Sequence, residues 1–213
     1  WPQVTCPSTT SAIRASDGQL MSAVFSDRMR AVLTTSLSGW QRAALATALG
    51  ALGARALPPE GLWPLLLVAL PALIWLMDQS LPRARRPVAT AFLLGWCFGF
   101  GWFATSVYWI GEAFLVDAAT YGWMMPFAIA GLSAYLALWW GFGLLLAGWR
   151  WQPQDPARLL RLAMALSLAD WLRGHALTGF PWNAPGYVAL DIAPLAQLAA
   201  LTGLWGLDLL VLS

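Results

Sequence analysis

The chain contains no lysine, a single histidine (His175) and two cysteines (Cys6 and Cys97), and only 10% of it is charged. Each shortage closes off a class of protein. Soluble globular domains carry about a quarter of their residues charged, so a soluble enzyme core is excluded. The basic residues are all arginine, and the net charge of +2 is spread over short connections, which does not suit nucleic acid. It does suit loops lying on anionic lipid. No Cys/His spacing fits a metal, and a disulfide between a terminal tail and a mid-span cysteine is not expected. No cofactor is expected either.

What the chain has in excess is apolar and aromatic surface, with 59% hydrophobic residues and 15 tryptophans. Long uncharged runs place it in the membrane class, since about 20 apolar residues cross the hydrocarbon core. The expected fold is all-α: a polytopic transmembrane helical bundle of about six spans. These are read at 40–57, 62–77, 88–110, 124–147, 157–172 and 194 to the end, the fifth being the least apolar. Residues 1–38 read as a polar tail, with two equal readings: untranslated sequence ahead of a natural start at Met21 or Met29, or a disordered tail; 39–213 read as the transmembrane domain. The chain begins on Trp1 and stops inside an apolar run, so both ends are expected to be cut.

Within the spans, Gly50, Gly53, Ala46 and Ala54 form a small-residue face, and the glycines of Gly95-Trp96-Cys97-Phe98-Gly99-Phe100-Gly101-Trp102 form a strip for helix approach. Pro64 opens the second span without penalty, because its missing N–H would be unpaired there anyway. Arginine counts set the orientation. Arg83, Arg85, Arg86, Arg150, Arg158 and Arg161 follow spans two and four, whereas only Arg55 and Arg173 follow spans one, three and five. The positive-inside rule puts the first group, and the N-terminus with Arg28, Arg30 and Arg42, in the cytoplasm.

The densest chemistry lies between spans five and six, at Leu172-Arg173-Gly174-His175-Ala176-Leu177-Thr178-Gly179-Phe180-Pro181-Trp182-Asn183-Ala184-Pro185-Gly186-Tyr187. Pro181 moves Phe180 out of helical geometry and Gly179 permits angles other residues avoid, so 178–183 is expected to form a fixed bend. Trp182 and Tyr187 can sit at headgroup depth, and Arg173 can grip a phosphate or a carboxylate. Asp170 and Arg173, three apart, share a helical face. On residue types alone, a lipid-facing ledge and an aromatic-belt loop with an internal ion pair are equal readings.

Candidates for catalysis are weaker. Cys97 sits mid-span among aromatics, where a thiol is inert and acts as core. His175 has Asp170 and Asp191 in range but no evident nucleophile beside it. Glu112 reads first as a solvated surface group. Asp208 is a functional candidate if it lies inside the membrane, and an interface residue if it does not.

Arg173-Gly174-x-x-x-Thr178-Gly179-Phe180-Pro181-Trp182 with Gly186-Tyr187 resembles the corresponding segment of the bacterial apolipoprotein N-acyltransferases. The run from Gly95 to Phe103, the Tyr108-Trp109-Ile110-Gly111-Glu112-Ala113-Phe114 exit and Leu57-Pro58-Pro59-x-x-Leu62-Trp63-Pro64 are similar to that family too, particularly to its alphaproteobacterial members. The resemblance runs from about residue 40 to the end and departs at Arg55 and Glu60, where apolar or aromatic residues are expected. It implies a membrane bundle followed by a nitrilase-like α/β domain. The family moves a fatty acyl chain from phospholipid to the N-terminal diacylglyceryl-cysteine of lipoproteins, using a cysteine nucleophile, a glutamate base and a lysine in that second domain.

With no lysine, and glutamate only at 60 and 112, this chain does not carry that catalytic set. The implied substrate-binding residues are Arg173, Gly179, Pro181 and Trp182, and the segment alone is expected to be inactive. Implied partners are a phospholipid acyl donor, a diacylglyceryl-modified apolipoprotein and the bilayer, with the protein a monomer. The implied location is the bacterial inner membrane, with loop 173–191 periplasmic. The alternatives are a small multi-spanning transporter, for which no internal repeat is seen, and a non-catalytic membrane scaffold.

Overall fold

A computed structural model describes residues 37–213. The readings of Cys6, of Met21 or Met29 as a start, of Arg28 and Arg30, and of nearly all of the 1–38 tail lie outside the described residues. Six helices of 14 residues or more form the bundle: α1 (Gly39–Ala54), α2 (Leu66–Ser80), α3 (Pro87–Ser106), α4 (Met125–Gly148), α5 (Ala157–His175) and α6 (Ala199–Leu212). No strand occurs among the described residues. The stretches Trp63–Arg83, Pro87–Ser106 and Ala118–Gly148 are long and apolar enough to cross a membrane. The helix α6 is apolar but shorter. At 1.5 Å per residue, α3 spans about 30 Å, the thickness of the hydrocarbon core, while α1 spans only about 24 Å.

Local chemistry explains the starts. Gln41 reaches back to the backbone N–H of Ser38 at 2.8 Å, closing the first turn of α1. Pro64 opens a short 3-10 turn ahead of α2, Pro87 is the first residue of α3, and Pro126 lies in the first turn of α4.

Helix α3 is the centre, packed against α1 on one side and α4 on the other. The glycines divide between these neighbours instead of forming one strip. A Cβ on Gly101 would run into the Thr47 carbonyl of α1, and one on Gly50 into the Phe98 carbonyl of α3. Gly95 and Gly99 face Trp140, Leu144 and Ala137 of α4. Backbones therefore approach closely at both interfaces, where van der Waals contact holds membrane helices together. Between them lies an aromatic core: Phe98, Trp102 and Phe103 surround Trp140 with ring centroids 5.6, 5.2 and 5.4 Å away. All four rings are buried.

The connections gather at two ends. At one, Trp151 Nε1 and Arg158 both donate to Asp78, at 2.8 and 3.2 Å, tying the α4–α5 connection to the end of α2. Arg161 pairs with Asp155 there at 2.8 Å. At the other, Asn183 donates to the Ser106 carbonyl at 3.1 Å and Trp109 meets Trp182 at 5.7 Å. The arginine-rich connections thus share one end and the 173–191 loop occupies the other. Arg55 and Glu60 pair with each other.

Two spans differ from expectation. The third leaves α-helical form at Ser106 and continues as a 3-10 turn over Tyr108–Gly111. The sixth is interrupted: Ala193–Ala196 is a separate turn, and Gly203 breaks α6 with φ 64° and ψ −173°. Only glycine adopts that conformation without steric cost, so one residue breaks an otherwise continuous apolar run.

Candidate functional site

The site is built outward from a buried ion pair at the end of α5. The side chain of Arg173 has 0% exposure, as does that of Asp170. Arg173 Nε and Nη2 both donate to Asp170 Oδ1, at 2.9 and 2.7 Å, and Trp140 Nε1 donates to the same oxygen at 3.0 Å. The remaining nitrogen, Nη1, donates to the carbonyls of Phe180 and Trp182, at 2.7 and 2.8 Å. The guanidinium lies over the Phe103 ring, 4.9 Å from its centroid. One buried cation thus joins α4, α5, the α3 core and the loop.

The loop returns on itself to present those carbonyls. Phe180 N–H bonds the Arg173 carbonyl at 2.9 Å, and Gly179 N–H the Ala176 carbonyl at 2.9 Å. Leu177, Gly179 and Asn183 all take positive φ, at 55°, 73° and 60°. The bend expected at 178–183 is present. A Cβ on Gly179 would strike the Gly174 carbonyl, so glycine is needed there for space as well as angle.

Two further ties hold the loop down. Trp102 Nε1 donates to the Asn183 carbonyl at 2.8 Å, while the Asn183 amide takes the last free carbonyl region of α3 at Ser106. Asp208 accepts the Gly186 N–H at 2.9 Å, and Gly186 sits so close to the α6 backbone at Leu204 and Asp208 that a Cβ would not fit. Asp208 is fully buried, so it lies inside the bundle and not at its rim.

Above this scaffold opens an apolar groove of about 460 Å³, lined by Leu57, Pro58, Trp109, Trp182, Asn183, Tyr187 and Leu190. Its walls come from three connections: α1–α2, α3–α4 and α5–α6. Trp182 is 51% exposed and Trp109 47% exposed, a large uncovered aromatic surface. Gly61, with φ +63°, lies against the Asp191 carboxylate and closes the rim between the first and last of these connections.

Of the four residues expected to bind substrate, Trp182 lines the groove. Arg173 and Gly179 lie beneath it as the clamp and the bend, with Pro181 half-buried between them. The choice between lipid phosphate and Asp170 for Arg173 falls to Asp170 and the two carbonyls. His175 stacks on Trp171 at 4.5 Å, donates to the Trp171 carbonyl at 2.7 Å and faces Trp205 of α6. It bonds neither Asp170 nor Asp191, so the general-base reading gains no support. Cys97 lies on α3 beside Thr47, and Glu112 is exposed at the start of a short helical turn. Sequence reasoning missed Trp109, Leu57 and Leu190 as groove walls. It also missed Trp140 and Asn183 as ties, although a buried indole N–H usually finds an acceptor.

Residues 49–213 match the family model described as "Apolipoprotein N-acyltransferase N-terminal domain". The chain belongs to the apolipoprotein N-acyltransferase family. It is 49% identical over 175 residues to the enzyme of that name from Rhodopseudomonas palustris and 45% over 175 residues to that of Bradyrhizobium diazoefficiens. The Caulobacter vibrioides protein is 44% identical over 174 residues. Each comparison covers 82% of this chain and 32% of the relative, so the chain spans about a third of the length of the curated relatives it matches. Both the clamp and the groove fall within the matched residues, apolipoprotein N-acyltransferase being the name all three relatives carry.

Proposed function

We propose that this chain is the membrane part of an inner-membrane N-acyltransferase that moves a fatty acyl chain from a phospholipid to the N-terminal diacylglyceryl-cysteine of lipoproteins. In this reading a thiolate elsewhere in the full-length protein takes the acyl group and releases lysophospholipid, and the lipoprotein amine then attacks. The membrane part presents the lipids. The observation that carries the reading is the aromatic groove of Trp109, Trp182 and Tyr187, open at the bundle end away from the arginine-rich connections. With those arginines cytoplasmic, the groove faces the outer leaflet. Trp182 meets acyl chains there, while Arg173, Gly179 and Pro181 fix the loop that carries it.

Absence of lysine from the whole chain supports placing the chemistry in a separate domain. The test is acylation of a diacylglyceryl-cysteine peptide in phospholipid vesicles by the full-length gene product and by residues 37–213 alone. The full-length protein should acylate and the membrane part should not. Acylation by the membrane part, or none by an inserted full-length protein, overturns the reading.

A further inference from the structure

At the other end of the bundle, α3 begins beside a second groove of about 630 Å³, walled by Val88, Phe92, Leu93 and Leu145 with Arg86 at its mouth. Its floor is preformed. The Phe92 ring lies against Gly141, where a Cβ would collide with it, and meets Phe142 edge-on at 5.2 Å. Leu93 is 58% exposed, so the groove opens sideways toward the bilayer.

The charge beside it is unmatched. Asp78 is engaged by Trp151 and Arg158, and Asp155 by Arg161. Arg83 is folded back onto Gln79, at 2.8 and 3.0 Å. Arg85 and Arg86 are exposed, and their guanidiniums form no hydrogen bond or ion pair among the described residues; only the Arg86 carbonyl is engaged, by Thr90. Arg86 at the mouth of an apolar furrow, with exposed Arg85 next to it in the chain, is complementary to one molecule type: a lipid with a negative headgroup and a chain to lay below it.

We propose that this end of α3 holds an anionic phospholipid, with Arg85 and Arg86 on the headgroup phosphate and one acyl chain along Phe92, Leu93 and Leu145. The site is separate from the Trp109–Trp182 groove and does not depend on its role. Charge attraction of this kind is worth roughly fivefold in binding per arginine, hence about 25-fold for the pair at low salt.

The experiment is native mass spectrometry of the full-length protein in detergent, offered equal phosphatidylglycerol and phosphatidylethanolamine of matched chains. Wild type should retain phosphatidylglycerol over phosphatidylethanolamine by about 25-fold. The Arg85→Gln/Arg86→Gln protein should retain them about equally, with Arg86→Gln alone intermediate, while Leu93→Trp should lower retention of both lipids by filling the groove. Millimolar inorganic phosphate should not displace the lipid. Equal retention by wild type, a preference kept by the double variant, unchanged retention in Leu93→Trp or full displacement by phosphate would each overturn the proposal.

Discussion

Replacing Arg173 by Met removes four hydrogen bonds at once, two to Asp170 and one each to the carbonyls of Phe180 and Trp182. Two estimates of the cost differ. Counted as ordinary interhelical bonds in a membrane, at about 0.6 kcal/mol each, the four are worth about 2 kcal/mol. Counted as a buried ion pair broken on one side, the loss is about 3–5 kcal/mol. The second applies, because Asp170 Oδ2 already has no partner and only the Trp140 indole would remain to serve the carboxylate. Arg173→Met should therefore cost about 3–5 kcal/mol, and Asp170→Leu/Arg173→Met should recover at least about 2 kcal/mol of it, since apolar replacement of both partners leaves no stranded charge. Arg173→Lys should keep part of the stability but free the loop, because an ammonium cannot reach Asp170 and two carbonyls together. The assays are denaturant titration of the full-length protein in detergent and limited proteolysis within 176–183. Wild-type stability in Arg173→Met, within about 0.5 kcal/mol, or a double variant no better than the single, would refute the clamp.

One substitution should act with opposite signs along the chain. Gly101→Ala should cost about 1–3 kcal/mol by forcing α3 off the Thr47 carbonyl, whereas Gly131→Ala, with open space around it, should gain about 0.5–1 kcal/mol, both read by the same titration. At the arginine-rich end, the Arg161 guanidinium and the Ala157 N–H hold the Asp155 carboxyl below its usual range. A depressed native value means the contribution is complete above the unfolded value of about 3.9 and is lost as pH falls through the native one. The melting difference between wild type and Asp155→Asn should thus be constant from about pH 7 to 5 and close below about pH 4. A difference that widens on acidification would reverse the assignment.

The helices were legible because their signals are local: apolar runs of bilayer length, and prolines in the first turns at 64, 87 and 126, although Pro71 sits inside α2 without ending it. The Asp170–Arg173 pair was legible for the same reason, being one helical turn apart. What lies between distant segments was not. Trp102 and Asn183 are 81 residues apart, and Gly186 and Asp208 are 22 apart, so no periodicity links them. The groove is assembled from three connections and has no sequence signature of its own. Gly95, Gly99 and Gly101 read as one strip because spacing records which residues are small, not which neighbour each one meets. The sixth span read as one continuous run, whereas Gly203 breaks α6. The family resemblance, carried by ordered motifs from Leu57 to Tyr187, agrees with the match over 49–213.

The central claim is that the Trp109–Trp182 groove receives lipid for acyl transfer, and steady-state acylation of a diacylglyceryl-cysteine peptide by the full-length enzyme in vesicles tests it most directly. Trp182→Ala should lower kcat/KM at least about tenfold at equal inserted protein, as loss of about 1.4 kcal/mol of contact would. Trp149→Ala, on a 66% exposed indole at the opposite end, should leave it unchanged. Wild-type acylation by Trp182→Ala, or an equal loss in Trp149→Ala, would contradict the account.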